Sequence, residues 1–227
     1  MFKALLNILF PKACSGCSRV LLESEDLVCT HCRHDMPFTQ HYLDTQNETY
    51  KKFYGRLPVE HASSVVYFHK KGIVQELIHN LKYKGKKEIG ALIGKWYVQD
   101  IKDIEVLQSV TEVVPVPLHK KKLRQRGYNQ VAGFGKALAD GLGAKYNDDL
   151  LLRTTYNKTQ TKKNITARAE IISNSFDITP TDADKNKHFL LVDDVITTGA
   201  TLEACGRALL KIPGARVSIV TIAYAHT

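Results

Sequence analysis

Two groups of residues in this 227-residue sequence could do chemistry. In the first, the apolar run Phe189, Leu190, Leu191, Val192 leads into the acidic pair Asp193 and Asp194, followed by Val195, Ile196, Thr197, Thr198, Gly199, Ala200 and Thr201. Four consecutive apolar residues read as a buried strand, and the carboxyl edge of an open α/β sheet is where ligands bind. The stretch after the acids offers backbone N–H groups, hydroxyls and a glycine able to take positive φ ahead of a helix, which is the composition of a phosphate cradle. Carboxylates accept hydrogen bonds from sugar hydroxyls and favour a nearby divalent cation, so the two halves together suit a phosphorylated sugar. The plainer alternative is an acid that caps the next helix, a task needing one carboxylate rather than two. No Gly-x-Gly-x-x-Gly and no Gly-x-x-x-x-Gly-Lys-Ser/Thr occurs, so neither a dinucleotide fingerprint nor a P-loop is expected.

The second group is Cys14-x-x-Cys17 and Cys29-x-x-Cys32. A two-residue gap lets both thiolates of a pair face one ion, and two pairs complete the tetrahedral shell of a closed structural zinc site. Two disulfides would instead require an oxidising compartment. His31 and His34 flank the second pair and are expected at the surface, because four sulfurs already saturate the metal. The lone Cys205 is expected as a small buried side chain in a helix.

The elements that must position these groups alternate along the chain. Strands are expected at 64–69, 113–115, 150–152, 189–192 and 217–223, with helices around Ile73, Leu77, Ile78 and Leu81, around Ile89, Leu92, Ile93 and Trp96, and over 128–142 and 200–210. Such alternation predicts an α/β fold with a mostly parallel sheet covered by helices on both faces. The expected organisation is a helix and zinc ribbon over 1–45, a linker over 46–60 and the main domain over 61–227.

Formal net charge is +9 and the pI is near 9.2, which calls for an anionic partner. Lys120, Lys121, Lys122, Arg124 and Arg126 form one basic cluster, and Lys158, Lys162, Lys163 and Arg168 another. Either could be a solvated face instead. Tyr83 and Tyr128, close to basic residues, could stack bases of single-stranded nucleic acid or simply pack. The apolar stretch Ala4 to Phe10 is far shorter than the ~20 residues that span a bilayer and has no cleavage site after it, so a cytoplasmic protein is expected.

The run from Phe189 to Thr201 resembles the 5-phosphoribosyl-1-diphosphate (PRPP) signature of type I phosphoribosyltransferases. Glu112-Val-Val-Pro-Val-Pro117 with Leu118 to Gln130 is similar to the strand and pyrophosphate loop of the amidophosphoribosyltransferase-like branch, and Arg153 to Ile171 holds the chain position of its mobile loop. Together with the four-cysteine ribbon and Leu81-Lys-Tyr-Lys-Gly85, the chain resembles the ComF family, which includes ComFC and GntX. The resemblance implies a type I phosphoribosyltransferase fold with a small N-terminal zinc ribbon, and a part in DNA uptake during natural competence. It also implies PRPP with magnesium at the site, and transfer of phosphoribosyl to an acceptor that the sequence does not name. On this reading Asp193 and Asp194 are the catalytic acids that hold the ribose hydroxyls, Val195 to Thr201 bind PRPP, and within them the Thr197 to Thr201 loop holds the 5-phosphate. Pro115, Val116, Pro117, Arg124, Arg126, Lys163 and Arg168 then serve the pyrophosphate. The other reading is a non-catalytic module that binds single-stranded DNA or couples to a DNA-uptake helicase or translocation apparatus.

Overall fold

The computed structural model describes residues 11–154 and 175–226. The helix expected ahead of the ribbon, within residues 1–10, and the residues Lys158, Lys162, Lys163 and Arg168 lie outside them.

Strand β1 (Ala62–Phe68) leads into α3 (Ile73–Tyr83), whose Val74, Leu77, Ile78 and Leu81 are buried, and α4 (Glu88–Ile101) follows. Ahead of them lie two short helices, α1 (Thr30–His34) and α2 (Glu48–Lys51). Next come α5 (Glu105–Gln108), β2 (Glu112–Pro115), α6 (Lys120–Arg126), α7 (Ala132–Leu142) and β3 (Lys145–Tyr146). After β4 (Leu151–Arg153) and β5 (Phe176–Ile178), the chain completes β6 (His188–Ile196), α8 (Ala200–Leu209) and β7 (Arg216–Ala225).

Five strands make one parallel sheet in the order β1-β7-β6-β2-β3. From β6 the chain crosses outward to β7, and from β2 it crosses the other way to β3. The crevice between the carboxyl ends of β6 and β2 is therefore a topological switch point, the place where such sheets bind ligands. One face of the sheet packs Val113, Leu190, Val192, Val220 and Ile222 against α3, α4 and α7; the other packs Val114, Phe189, Leu191 and Ile219 against α8.

Three expectations change. The strand near Leu150 does not join the main sheet; β4 pairs antiparallel with β5 as a separate two-stranded piece. The helix expected from Tyr128 begins at Ala132, because Gly127, with φ 76°, ends α6 and the Asn129 side chain accepts from Val131 N–H in the turn between. Strand β6 runs on to Ile196, four residues past the expected end, because β7 keeps pairing with it: Asp193 lies opposite Thr221 and Ile196 opposite Tyr224.

The ribbon shares the main core, with Cys14, Val28, Cys29, Cys32 and Met36 in one cluster with Val65, Val74, Leu77 and Ile78. Asn80 Nδ2 donates to Ser15 O at 2.7 Å, and a Cβ on Gly16 would stand 2.9 Å from Ile73 Cγ2, so the first cysteine turn sits tightly on α3. Residues 46–60 include α2 and bury Phe53 and Leu57.

Candidate functional site

At the ribbon, the four sulfur atoms of Cys14, Cys17, Cys29 and Cys32 lie within 4.8 Å of one another, with Cys17 and Cys29 at 3.7 Å. Sulfurs around a tetrahedral zinc sit about 3.8 Å apart, given a Zn–S bond of ~2.3 Å. Backbone N–H groups aim inward: Gly16 and Cys29 each donate to Cys14 Sγ at 3.3 Å, and Cys32 donates to Cys29 Sγ at 3.4 Å. Burial opposes ionisation of Cys14, but the N–H donors of Cys29, Gly16 and Cys17 outweigh it and bring the thiol down to about 7. Cys29 is raised despite the Cys32 N–H, by burial and the sulfurs of Cys14 and Cys17, and Cys32 is raised by burial and the sulfurs of Cys17, Cys29 and Cys14. With no cation, four crowded sulfurs resist ionising together, and a metal at their centre favours the thiolates that bind it, so the residues fit zinc. His31 and His34 are exposed and each pairs with Asp35 at 3.0 Å. Cys205 is fully buried in α8.

The second centre lies at the switch point. Strand alternation turns Asp193 and Asp194 to opposite faces of β6. Asp193 lines a cavity of about 50 Å³ together with Val195, Ile196 and the turn from Thr197 to Thr201. Gly199 enters α8 with φ 79°, and a Cβ there would meet Phe53 Cε1 at 3.3 Å, so both backbone and space select glycine. Among the described residues the N–H groups of Thr197, Thr198 and Gly199 have no acceptor; Gly199 gives α8 no side-chain N-cap, and of its first donors Ala200 N–H reaches Thr198 Oγ1 at 3.4 Å. A helix start with uncapped donors attracts anions. The turn is braced from outside by Arg56, which donates to Thr198 O at 3.1 Å and pairs with Glu203 of α8.

Burial, and then the charge of Asp194, push the Asp193 carboxyl up to about 7; the Asp194 N–H, Lys82 and Arg153 pull the other way. At neutral pH a proton is therefore shared between Asp193 and solvent, and a cation or hydroxyl donor in the cavity favours the carboxylate.

Asp194, by contrast, is 6% exposed and its oxygens are engaged: Lys82 Nζ donates to Oδ1 at 2.9 Å and Gln130 Nε2 to Oδ2 at 2.6 Å. Arg126 donates to Gln130 Oε1 at 2.7 Å, which joins the basic helix α6 to the acidic pair. Arg124 stands exposed on α6, a helix with no buried residue. Pro115 and Val116 lie beside β6, with Val116 N–H spent on Val192 O at 2.9 Å, and proline has no N–H to give. The β2 edge from Pro115 to Pro117 thus borders the crevice without a free backbone donor.

Lys82, Gln130 and Arg56 are the site residues that sequence reasoning did not assign. Lys82 had a signal, since it sits inside the Leu81-Lys-Tyr-Lys-Gly85 segment; Arg56 had none. A larger groove of about 570 Å³ lies between α1 and α4, but the Arg33 guanidinium stands 4.8 Å from the centre of the Trp96 ring in it, and no acidic pair or open turn lines it.

The Phosphoribosyl transferase domain family matches residues 132–227. DNA utilization protein YhgH of Salmonella typhimurium is 29% identical over 147 residues, 63% of this chain and 63% of that protein. Competence protein F of Haemophilus influenzae is 24% identical over 209 residues, covering 88% and 84%. Competence protein ComFC of Bacillus subtilis is 34% identical over 111 residues, covering 48% and 43%. The chain is thus similar to competence and DNA-utilization proteins, and its carboxyl-terminal part matches the phosphoribosyl transferase domain. The match to YhgH spans less than two thirds of that protein's length. The domain match begins at Ala132, so Lys82 and Gln130, which donate to Asp194, and Arg126, which donates to Gln130, lie outside it. Among the described residues no helix is long and apolar enough to cross a membrane.

Proposed function

We propose that this ComF-like chain binds PRPP with magnesium and transfers its phosphoribosyl group to a nitrogen acceptor, in the handling of incoming DNA. The observation that carries the reading is one cavity lined both by Asp193 and by a glycine turn whose N–H groups lack acceptors. A sugar phosphate needs both in one place: amide donors for the phosphate, a carboxylate for the hydroxyls.

In the reaction the C1–O bond to pyrophosphate breaks and a C1–N bond forms, while the acceptor nitrogen loses a proton. Positive charge develops on the ribose ring, and the Asp193 carboxylate is placed to stabilise it. The turn from Thr197 to Thr201 would fix the 5-phosphate, and Arg126, which donates to Gln130, would serve the pyrophosphate. Magnesium would neutralise the pyrophosphate. The zinc ribbon has no open position in its four-sulfur shell, so its part is to hold the fold.

Calorimetry of PRPP with and without magnesium, compared with ribose 5-phosphate, tests the reading. Magnesium-dependent PRPP binding is expected, with proton release near pH 7 as Asp193 ionises, and Asp193→Asn should weaken it at least tenfold. No binding by the wild-type protein would overturn the reading.

One observation favours a second role beside this one. Helix α6 presents Lys120, Lys121, Lys122 and Arg124 with no buried residue, a surface suited to a polyanion. Single-stranded DNA binding that weakens steeply with salt would support it, and salt-insensitive binding would not.

A further inference from the structure

Residues 52–57, which follow α2, pack against the outer side of the turn that leads into α8. A Cβ on Gly199 would stand 3.3 Å from Phe53 Cε1 and 3.5 Å from Lys52 Cβ, and one on Gly206 would stand 2.4 Å from Leu57 Cδ2. Glycine at both positions lets this segment come close enough for polar contact. Arg56 makes that contact. Its Nη1 donates to Lys52 O at 3.0 Å and to Thr198 O at 3.1 Å, and its Nη2 pairs with Glu203 of α8. Glu203 is held in turn by Arg207 at 2.9 Å, and the Arg207 guanidinium also donates to Arg56 O. The planar guanidinium of Arg56 thus spans three acceptors in one fixed fork, which a lysine ammonium does not reproduce.

The Thr198 carbonyl matters because it shares a peptide plane with the Gly199 N–H. In a trans peptide, as here, the two point in opposite directions. With Arg56 on the carbonyl, the Gly199 N–H is turned away from residues 52–57, and Gly199 lines the cavity that Asp193 shares. The Gly199 carbonyl is fixed separately, accepting from Glu203 N–H at 2.8 Å. Glycine by itself does not secure this arrangement. Its φ of 79° has an equally accessible counterpart of opposite sign, reached by turning the Thr198–Gly199 peptide over, which would aim a carbonyl where a phosphate should sit. A carbonyl held by a cation is also polarised, and the N–H across the same peptide becomes a stronger donor.

We propose that Arg56 is a positioning residue for the phosphate turn: it holds the Thr198 carbonyl outward and so sets the Gly199 N–H toward the cavity in advance of the ligand. This rests on the phosphoribosyl reading, in which that turn seats the 5-phosphate. It gives a task in binding to residues 52–57, part of the stretch expected to be a linker, from a position 142 residues before the turn.

The test titrates ribose 5-phosphate and inorganic phosphate, read by calorimetry and by the Gly199 amide in proton–nitrogen correlation spectra. In the wild type, phosphate should move the Gly199 amide proton downfield as it gains an acceptor. Arg56→Met is expected to weaken both probes about five- to tenfold through lost preorganisation. It should also shift or broaden the Gly199 resonance before any ligand is added, as the peptide samples two orientations. Arg56→Lys should recover only part of the loss. The Arg56–Glu203 pair is partly exposed, and such pairs add little to stability, so the denaturation midpoint should move little. A merely structural role would lower that midpoint but leave the phosphate affinity of the folded protein within about twofold and the free Gly199 resonance in place, and that result overturns the proposal. Should Arg56→Met fail to fold, Glu203→Gln removes the ion partner and leaves the guanidinium. That variant is expected to lose about two- to threefold for both probes with a shifted Gly199 resonance, and wild-type behaviour in it overturns the proposal equally. A wild-type protein that binds inorganic phosphate at the turn but neither ribose 5-phosphate nor PRPP would overturn the phosphoribosyl reading and leave the role of Arg56 standing. One that binds no probe overturns both.

Discussion

His188 opens β6 at the amino-terminal edge of the sheet with both ring nitrogens engaged, Nδ1 at 2.8 Å from Ser109 Oγ and Nε2 at 2.8 Å from Ser218 Oγ. His61, just before β1, stands 2.8 Å from Ser63 Oγ. At the carboxyl end of the same β6, Asp193 and the turn after it keep N–H groups without acceptors among the described residues. Both edges place polar residues on buried strands, but only one leaves donors open. At the closed edge the polar groups are spent on one another, whereas Thr197 and Thr198 are exposed and their N–H groups face solvent, open to a ligand.

The largest effect expected on this contrast comes from removing zinc. Metal binding contributes on the order of 10 kcal/mol to the folding of small zinc domains. Chelation should expose the amides of residues 12–36 first and then those of 80–83, because Asn80 is tied to Ser15, while 188–192 stay protected. Hydrogen exchange reads this directly. Simultaneous loss of protection at 188–192 would mean that the two edges do not behave separately.

Acid is expected to act on the closed edge. Burial holds the imidazoles of both His188 and His61 down to about 4, with the charge of Arg216 adding to the first and that of His188 to the second. In the unfolded chain each ring takes up a proton near 6.5, while the folded one refuses it until about 4. Stability is therefore complete above pH 6.5 and falls as pH drops toward 4, by up to about 3 kcal/mol for one ring. Denaturant titrations at pH 7 and pH 4.5 should show the loss, and His188→Gln should shrink it. An unchanged pH dependence in that variant would assign the acid sensitivity elsewhere.

The smallest effect in stability sharpens the contrast from the open edge. Gly199→Ala places a side chain at φ 79° and against Phe53, at a cost of about 1–2 kcal/mol. Ribose 5-phosphate affinity should fall by much more than that loss of stability, while the pH profile stays as in the wild type. Unimpaired phosphate binding by this variant would remove the turn from the site.

Much of the site could be read before folding, because its signals are local. A buried apolar run, an acidic pair and a glycine turn before a helix are consecutive in sequence, and two cysteine pairs with short gaps state their own ligand set. The parallel α/β class followed from the alternation of periods 2 and 3.6, although β3, only two residues long, and α5 carried too little pattern to be seen. The long extension of β6 was hidden because polar residues at its end read as loop, and only the pairing of Asp193 with Thr221 on β7 keeps them in the strand.

The sequence alone therefore determined which residues could bind a sugar phosphate and which could bind a metal, since both depend on neighbours along the chain. Tertiary structure decided that Asp193 and Asp194 face apart, and that Lys82, 112 positions before Asp194, is the cation beside it. The physical reason is that a charge pair across a sheet edge depends on where strand pairing and helix packing bring distant residues, a distance that no local spacing records.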